Sequence, residues 1–507
     1  MCFYLGVLRW CVHVAVWEDM AKVSIIWSWF WWLSAAIHAA YAGHEVVVYE
    51  KNEQLWGRAS VFEHDWFRWD MWPSWYLMPD LFESFFEQFG KKREDYLTIT
   101  KLSPSYKIFF KDTDKVARVY DDLEKNRTLF ESLEPWSTDK LYQYLDRAAY
   151  QYEIAMKEFV IKNYDSVFDF FTWRMATEWA KMRVFEKMDS YVKKWFSSQE
   201  MQQIMQYPLV FLGTAPKDAP ALYNIMSHVD FGMGVYYPDG WINAIIQWLV
   251  KLADEFGVKF HTNAEVTAIE VDHGRATQMI VWGVPIASDY IISNADYRWT
   301  ETHLLQPQRQ TYPASYREKK VMAPSGFILY LGVQWTVENL DHHTLLFSKD
   351  WDRNFAEIFT EKVAPTDPSL YICCPSKTDK TVAPEWFENL FVLVPFPPGV
   401  YLDEPQTKAY RDKVITGIEQ SIGESFADRI VQEHMFSVKD FEQRYNAYQW
   451  SALWLAHTLL QTALLRPNTK SKKVKNLFYA WWYTNPWIWM PMCLISGKLA
   501  TDRIATH

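Results

Sequence analysis

The apolar and polar positions divide the chain into stretches of different period. Residues 22–26 (KVSII) are a short apolar run, and EVVVYEK from Glu45 is another. Runs of this kind, bounded by turn residues, read as strands of a buried parallel sheet. Between them Leu33–Ala42 is alanine-rich and predicts a helix, with Gly43 as its C-terminal stop. Residues 252–272 (LADEFGVKFHTNAEVTAIEVD) predict a helix followed by a strand pair. Residues 81–235 are dominated by helical, amphipathic pattern, as in KLYQYLDRAAYQYEIAMKEFV and MDSYVKKWFSSQEMQQIMQ, and read first as core. Two stretches there, 169–175 (DFFTWRM) and 192–196 (VKKWF), pair aromatic with basic residues, as an interfacial helix does. The basic run Lys470–Lys475 reads as a solvated turn.

Length and charge narrow the classes. A chain of 507 residues is too long for one small core and fits an enzyme of two or three parts. The net charge is −10 with acids and bases mixed, so no basic stripe exists to attract nucleic acid. The five cysteines are odd in number and form no C-x-x-C pair, which reads as a reducing compartment and no structural metal. His342, His343 and His457 stand in no metal-ligand spacing, and no Ser/His/Asp order, zincin motif or Walker loop is present. Residues 1–19 are apolar but interrupted by Arg9 and His13, with no small-residue cleavage site. They are expected to be upstream translation, with Met20 as the start.

Composition then changes the picture. The chain has 28 Trp and only 17 Gly, where average usage gives about 35 Gly in this length. Taken literally, Val23–Ala42 is a 20-residue apolar stretch that could span a membrane. Its tryptophans, however, cluster inside the stretch instead of forming interfacial belts. With glycine at the tryptophans, residues 27–32 become G-S-G-F-G-G. That places a GxGxxG loop at Trp27, Trp29 and Trp32, with Trp31 beside them, between a strand and a helix. Glu50 then closes the second strand 23 residues after Trp27. This is a dinucleotide-binding βαβ unit, in which glycines let backbone N–H groups reach a pyrophosphate and the acid holds a ribose hydroxyl. Trp56-Gly57-Arg58-Ala59 becomes G-G-R-A, a second flavin-type motif.

Further motifs extend this downstream. DWFRWDMWPSWY becomes D-G-F-R-W-D-M-G-P-S-W-Y with glycine at Trp66 and Trp72, while Trp69 and Trp75 are kept as tryptophan. VYYPDGW at 235–241, DYIISNADY at 289–297, LYLGVQW at 329–335 and LDHHT at 340–344 follow. Near the C-terminus YNAYQWSALW and AWWYTNPWIWMP become Y-N-A-Y-Q-G-S-A-L-G and A-G-G-Y-T-N-P-G-I-G-M-P. From Met20 to the C-terminus the chain resembles the carotenoid desaturases of the phytoene desaturase family, which are amine-oxidase-like FAD flavoproteins. It departs mildly at Asn485, where the family usually has His. The family pattern calls for glycine at 27, 29, 31, 32, 56, 66, 72, 136, 241, 335, 386, 450, 454, 481, 482, 487 and 489. Those seventeen tryptophans, added to 17 glycines, restore a total of 34. The expectation is a translation made with the wrong code: UGA means glycine in the source and has been read here as tryptophan. Trp179, Trp248 and Trp282 are left open.

The resemblance implies an α/β fold: a Rossmann-like FAD-binding domain, a mixed-sheet substrate domain and a helical membrane-facing lobe. The implied boundaries are 20–100, 231–300 and 466–507 for FAD binding, 101–230 for the helical lobe and 301–465 for the substrate domain. It implies FAD contacts at Trp27, Trp29, Trp31, Trp32, Glu50, Trp56, Gly57, Arg58 and Trp72. Val266 would meet the adenine end. Trp481, Trp482, Pro486, Trp487, Ile488, Trp489 and Met490 would meet the isoalloxazine end. The implied activity is FAD-dependent desaturation of phytoene towards lycopene, with quinone or oxygen as electron acceptor, at the cytoplasmic side of a membrane as a peripheral protein. A C30 (diapophytoene) desaturase or a carotenoid isomerase fits the same motifs. If the tryptophans are real, the alternative is a non-catalytic, tryptophan-rich membrane protein. No catalytic base is legible.

Overall fold

The apolar run at residues 22–26 is the strand Lys22–Ile26, the centre of a five-stranded sheet. The computed structural model describes residues 20–27, 30–164, 178, 181–453, 455–462, 465–480 and 490–505, without the side chains of 30 and 31. The strand order is Leu477–Tyr479, Tyr290–Ser293, Lys22–Ile26, Glu45–Tyr49, Lys259–His261, and every pairing is parallel. Four of these strands are almost wholly apolar and buried, as a sheet covered on both faces requires.

The stretch read literally as a membrane span is divided between that first strand and the helix Phe30–Tyr41. The chain turns at Trp27, whose N–H donates to the Tyr49 carbonyl at 2.8 Å. Among the described residues no helix is long and apolar enough to cross a membrane. The helix begins at Phe30, three residues before the expected Leu33, and ends at Tyr41 ahead of Gly43 with φ +95°. It is buried nearly all round, and its small residues Ser34, Ala35, Ala36 and Ala39 let the C-terminal helix Met490–Ala505 approach closely. Ser34 Oγ donates to the Leu494 carbonyl at 2.5 Å, and Thr501 Oγ1 to the Ala35 carbonyl at 3.1 Å.

A second, seven-stranded sheet runs Ile430–Phe436, Ser325–Gln334, Phe387–Phe396, Leu370–Cys373, His343–Phe347, Tyr106–Phe110, Lys115–Val119. It is antiparallel except where His343–Phe347 meets Tyr106–Phe110. The strand Ser325–Gln334 shows how side-chain alternation divides the core. Phe327, Leu329, Leu331 and Val333 pack under the helix Glu404–Ile422, against Tyr410, Val414 and Ile418. Ile328 and Tyr330 face the other way, into the main core.

Three expectations are corrected. The region 81–235 is not helical throughout, because Ile99–Lys101, Tyr106–Phe110 and Lys115–Val119 are strands, the last two completing the seven-stranded sheet. YKIFF is buried at every position, a pattern that periodicity alone cannot assign to strand or helix. At 192–196, Val192 and Phe196 are fully buried and Trp195 packs on Tyr144 and Tyr191, so the aromatics there are core instead of an outward face. Lys193 and Lys194 are paired with Asp189 and Glu186. Residues 169–175 lie outside the described residues. The expected strand pair in 252–272 separates: Lys259–His261 joins the parallel sheet, while Val266–Asp272 starts a three-stranded antiparallel sheet.

Candidate functional site

In an open parallel sheet, ligands lie in the crevice beyond the carboxyl ends of the strands. Trp27, Glu50, Asn294 and Ala480 stand at those ends, and backbone bonds knit them together. Asn294 N donates to the Ile26 carbonyl at 2.9 Å, Ala480 N to Ser293 at 3.2 Å, and Glu50 N to His261 at 2.8 Å. Glu50 is fully buried, and one carboxylate oxygen accepts from Asn52 N at 2.7 Å. Val266, also buried, begins its strand close by, since Ala264 N donates to the Glu50 carbonyl at 2.7 Å.

The turn Gly57–Ala59 points Arg58 inward, where its guanidinium donates to the carbonyls of Ala452 and Ser451, nearly 400 residues away in the chain. The Tyr445 and Phe441 rings flank it at 5.3 and 5.8 Å. Lys51 Nζ donates to Asn446 Oδ1 at 3.0 Å, and Arg444 pairs with Glu53 at 2.6 Å. The segment 444–452 is thus fastened to the loop after the second strand by three cations. Arg58→Met is expected to leave buried carbonyls without donors and cost about 1–3 kcal/mol, measured as a lower urea midpoint. An unchanged midpoint would remove Arg58 from this tether.

Trp56 and Trp72 are half-buried. Trp56 lines a cavity of about 610 Å³ together with Phe62, Arg68, Trp241, His434 and Arg444. Trp72 meets the Phe441 ring edge-on at 5.2 Å. Met490 is the first residue of the C-terminal helix, and Trp31 lies in the first turn of the helix Phe30–Tyr41. The expected contacts Trp29, Trp481, Trp482, Pro486, Trp487, Ile488 and Trp489 lie outside the described residues.

Two features escaped the sequence reading. Asp70, at the end of the strand Phe67–Asp70, accepts from the backbone N–H of Ile242 at 3.0 Å and Asn243 at 2.9 Å. It thereby caps the helix Asn243–Glu255 from a distant part of the chain, and Asn243 Nδ2 returns a bond to the Ala59 carbonyl at 2.7 Å. Burial pushes the Asp70 carboxyl up to about 7, more than the two N–H donors and Arg68 bring it down. Nothing but membership of the WDMW motif marks it in the sequence.

The second feature is a buried aromatic and imidazole cluster. His343 stacks on Trp75 at 4.5 Å, with its Nδ1 and the Tyr371 hydroxyl 2.8 Å apart, and His342 Nδ1 is 2.7 Å from Thr378 Oγ1. His342, His343 and Cys373 each offer one ligand atom, all within 4.8 Å of one another, which is the grouping among the described residues that could hold a cation. Burial lowers His342 to about 3 and His343 well below its ordinary value, so both rings are neutral at ordinary pH. It raises the Cys373 thiol far above its usual range. The cluster is therefore uncharged at ordinary pH and buried in the core.

The description of the flavin-containing amine oxidoreductase family matches residues 33–505. A carotenoid 3,4-desaturase of Haloarcula japonica is 46% identical over 473 residues, 93% of this chain and 95% of the relative. A zeta-carotene-forming phytoene desaturase of Myxococcus xanthus is 31% identical over 94% of this chain and 92% of its own. A 4,4'-diapophytoene desaturase of Staphylococcus aureus is 30% identical over 95% and 98%. Among solved structures, a putrescine oxidase superposes with a TM-score of 0.62 at 12% identity, covering 96% of this chain and 100% of its own. That likeness concerns the fold alone.

The site fits a flavin dinucleotide in its polar groups but not in its tryptophans. A parallel-strand crevice, an acid at the second strand end, a buried arginine and a helix start are what such a group needs. Trp27, however, is buried in that crevice at φ +70°, with the Trp299 ring at 6.0 Å and Lys51 Nζ at 5.1 Å from its ring. Trp32 is wholly buried against Phe260 at 5.5 Å, and its indole Nε1 has no acceptor among the described residues. A buried donor left unpaired carries a desolvation cost.

Proposed function

Since the chain belongs to the flavin-containing amine oxidoreductases and is an FAD-dependent oxidoreductase, we propose that it desaturates a carotenoid. The observation that carries this reading is the 46% identity to a carotenoid 3,4-desaturase along nearly the whole of both chains. Two further carotenoid-pathway relatives at 30–31% support the same class. Bound flavin would supply the oxidising half of the reaction. Glu50 would hold a ribose hydroxyl, Arg58 would sit by the pyrophosphate, and Val266 would meet the adenine. The neutral cluster of Trp75, His343 and Tyr371 would exclude water from an apolar polyene.

The resemblance to the phytoene desaturase family makes phytoene the first candidate substrate, with lycopene as the direction of travel, although a C30 precursor fits the same motifs. The 46% relative favours a second reading, oxidation at the 3,4 position of a carotenoid. Quinone or oxygen would reoxidise the flavin, and the protein would work at the cytoplasmic face of a membrane, where its apolar substrate resides. Expression of the glycine form in hosts accumulating phytoene, a C30 precursor or an already conjugated carotenoid separates the readings. A red-shifted product is expected in one of them, by liquid chromatography with absorbance spectra. A flavin-loaded protein that changes none of these carotenoids would end the desaturase reading.

A further inference from the structure

An L-residue with a bulky side chain rarely adopts a left-handed backbone, because its Cβ crowds the neighbouring carbonyl. Seventeen non-glycine residues of the described chain have φ between +45° and +70°, and eight of them are tryptophans: 27, 66, 136, 241, 282, 335, 386 and 450. Of the other nine, five are Asp, Asn or His, which tolerate this region best, and four are Met78, Arg183, Lys362 and Gln449.

The eight are not spread evenly over the tryptophans. Eleven of the seventeen positions singled out by sequence have a described backbone, and seven of these are left-handed. Of the seven other described tryptophans, 69, 75, 195, 248, 282, 299 and 351, only Trp282 is. Those that keep ordinary backbone angles also pack: Trp69 is 2% exposed and Trp351 8%. The left-handed ones include Trp66 at 90%, Trp136 at 88% and Trp386 at 68% exposure, so the strain is not repaid by burying an indole.

Turn chemistry points the same way. The hairpin between Val266–Asp272 and Arg275–Val281 turns at His273-Gly274 with φ +45° and +77°. The next hairpin turns at Trp282-Gly283 with φ +53° and +77°. The hairpin between Val61–His64 and Phe67–Asp70 turns at Asp65-Trp66 with φ +45° and +70°. Two consecutive positive φ values define the type I′ turn, which selects Asp-Gly or Asn-Gly. Glycine fills the second place in two of the three turns and tryptophan in the third.

We propose that the functional protein has glycine at these eight positions, Trp282 included, through a UGA codon that its source reads as glycine. This rests on the reading of the chain as a flavoprotein only for Trp27. The other seven positions are argued from backbone geometry, so the proposal stands or falls apart from any carotenoid activity.

The test is mass-spectrometric sequencing of two tryptic peptides from the protein isolated from its source, Ala59–Arg68 and Thr128–Lys140, which contain Trp66 and Trp136. Glycine at both is the expected result, and tryptophan at either overturns the proposal. Recombinant protein gives a second measurement. Trp66→Gly, Trp136→Gly and Trp386→Gly together should raise the melting temperature by about 3–6 °C, while Trp69→Gly should lower it. A triple variant that melts no higher than the chain as written also overturns the proposal.

Discussion

Flavin loading is expected to separate the chain as written from its glycine form by about 100-fold or more. The difference comes from the indoles in the crevice beyond the strand ends, where each 1.4 kcal/mol of lost contact is about tenfold in affinity; the backbone strain at Trp27 is shared by the free and loaded protein and bears on stability instead. A pyrophosphate needs backbone N–H groups exposed at the helix start, and the Trp27 ring lies buried there beside Lys51 and Trp299. The comparison uses tryptophan and glycine at 27, 29, 31, 32 and 56, with FAD titrated in and the bound flavin read by its absorbance after gel filtration. The glycine form should bind stoichiometrically and the tryptophan form should elute colourless. Equal loading would mean that the crevice accommodates the indoles and that the argument from Trp27 is wrong.

Asp70 should make stability fall as pH rises across the neutral range. Its carboxyl is raised from 3.8 to about 7 in the folded chain, so between those values the folded state binds a proton that the unfolded state has lost. The stabilisation is present at low pH and disappears as pH climbs through about 7. Between pH 5 and pH 8 the change is about 2–3 kcal/mol. Asp230 and Asp80, also raised by burial to about 6, contribute with the same sign. The diagnostic is therefore the difference between the native chain and Asp70→Asn. The amide has no charge to titrate, so the Asn variant should show a shallower decline in urea midpoint from pH 5 to 8, even if its absolute stability is lower for want of a second acceptor towards Ile242 and Asn243. Parallel declines would mean that Asp70 ionises normally in the fold.

The two predictions differ in how far they could be seen in the sequence. The crevice was legible, because its parts are local. A strand, a loop with glycine-demanding positions, an alanine-rich helix and a second strand ending in Glu50 follow one another within 29 residues. Their periods and turn residues are set by near neighbours along the chain. The helix start was misjudged by three residues, since the tryptophans at 31 and 32 read as loop when they belong to the first turn. Asp70 was not legible, because what makes it unusual is a helix beginning about 170 residues later.

The strands at 106–119 were missed for a related reason. The continuous burial of Tyr106–Phe110 erases the alternation that marks a half-exposed strand, and its partner at Thr344–Phe347 supplies its identity, while Lys115–Val119 is fixed by pairing with Tyr106–Phe110 in turn. The stretch 192–196 has the composition of an interfacial helix but packs inward, since Tyr144 and Tyr191 lie where its aromatics point.

By itself the sequence determined the βαβ order of the first thirty residues after Met20, the family, and the shortage of glycine. These follow from side-chain period, turn chemistry and composition, which need no knowledge of distant contacts. Only the tertiary structure decided which strands neighbour which, that Arg58 reaches Ser451 and Ala452, that His342, His343 and Cys373 converge, and that Trp282 shares the left-handed backbone of Trp66. Each of these depends on groups far apart in the chain, or on a dihedral set by the hairpin it closes. Burial, desolvation and backbone strain arise when those groups are brought together, and local patterning does not contain them.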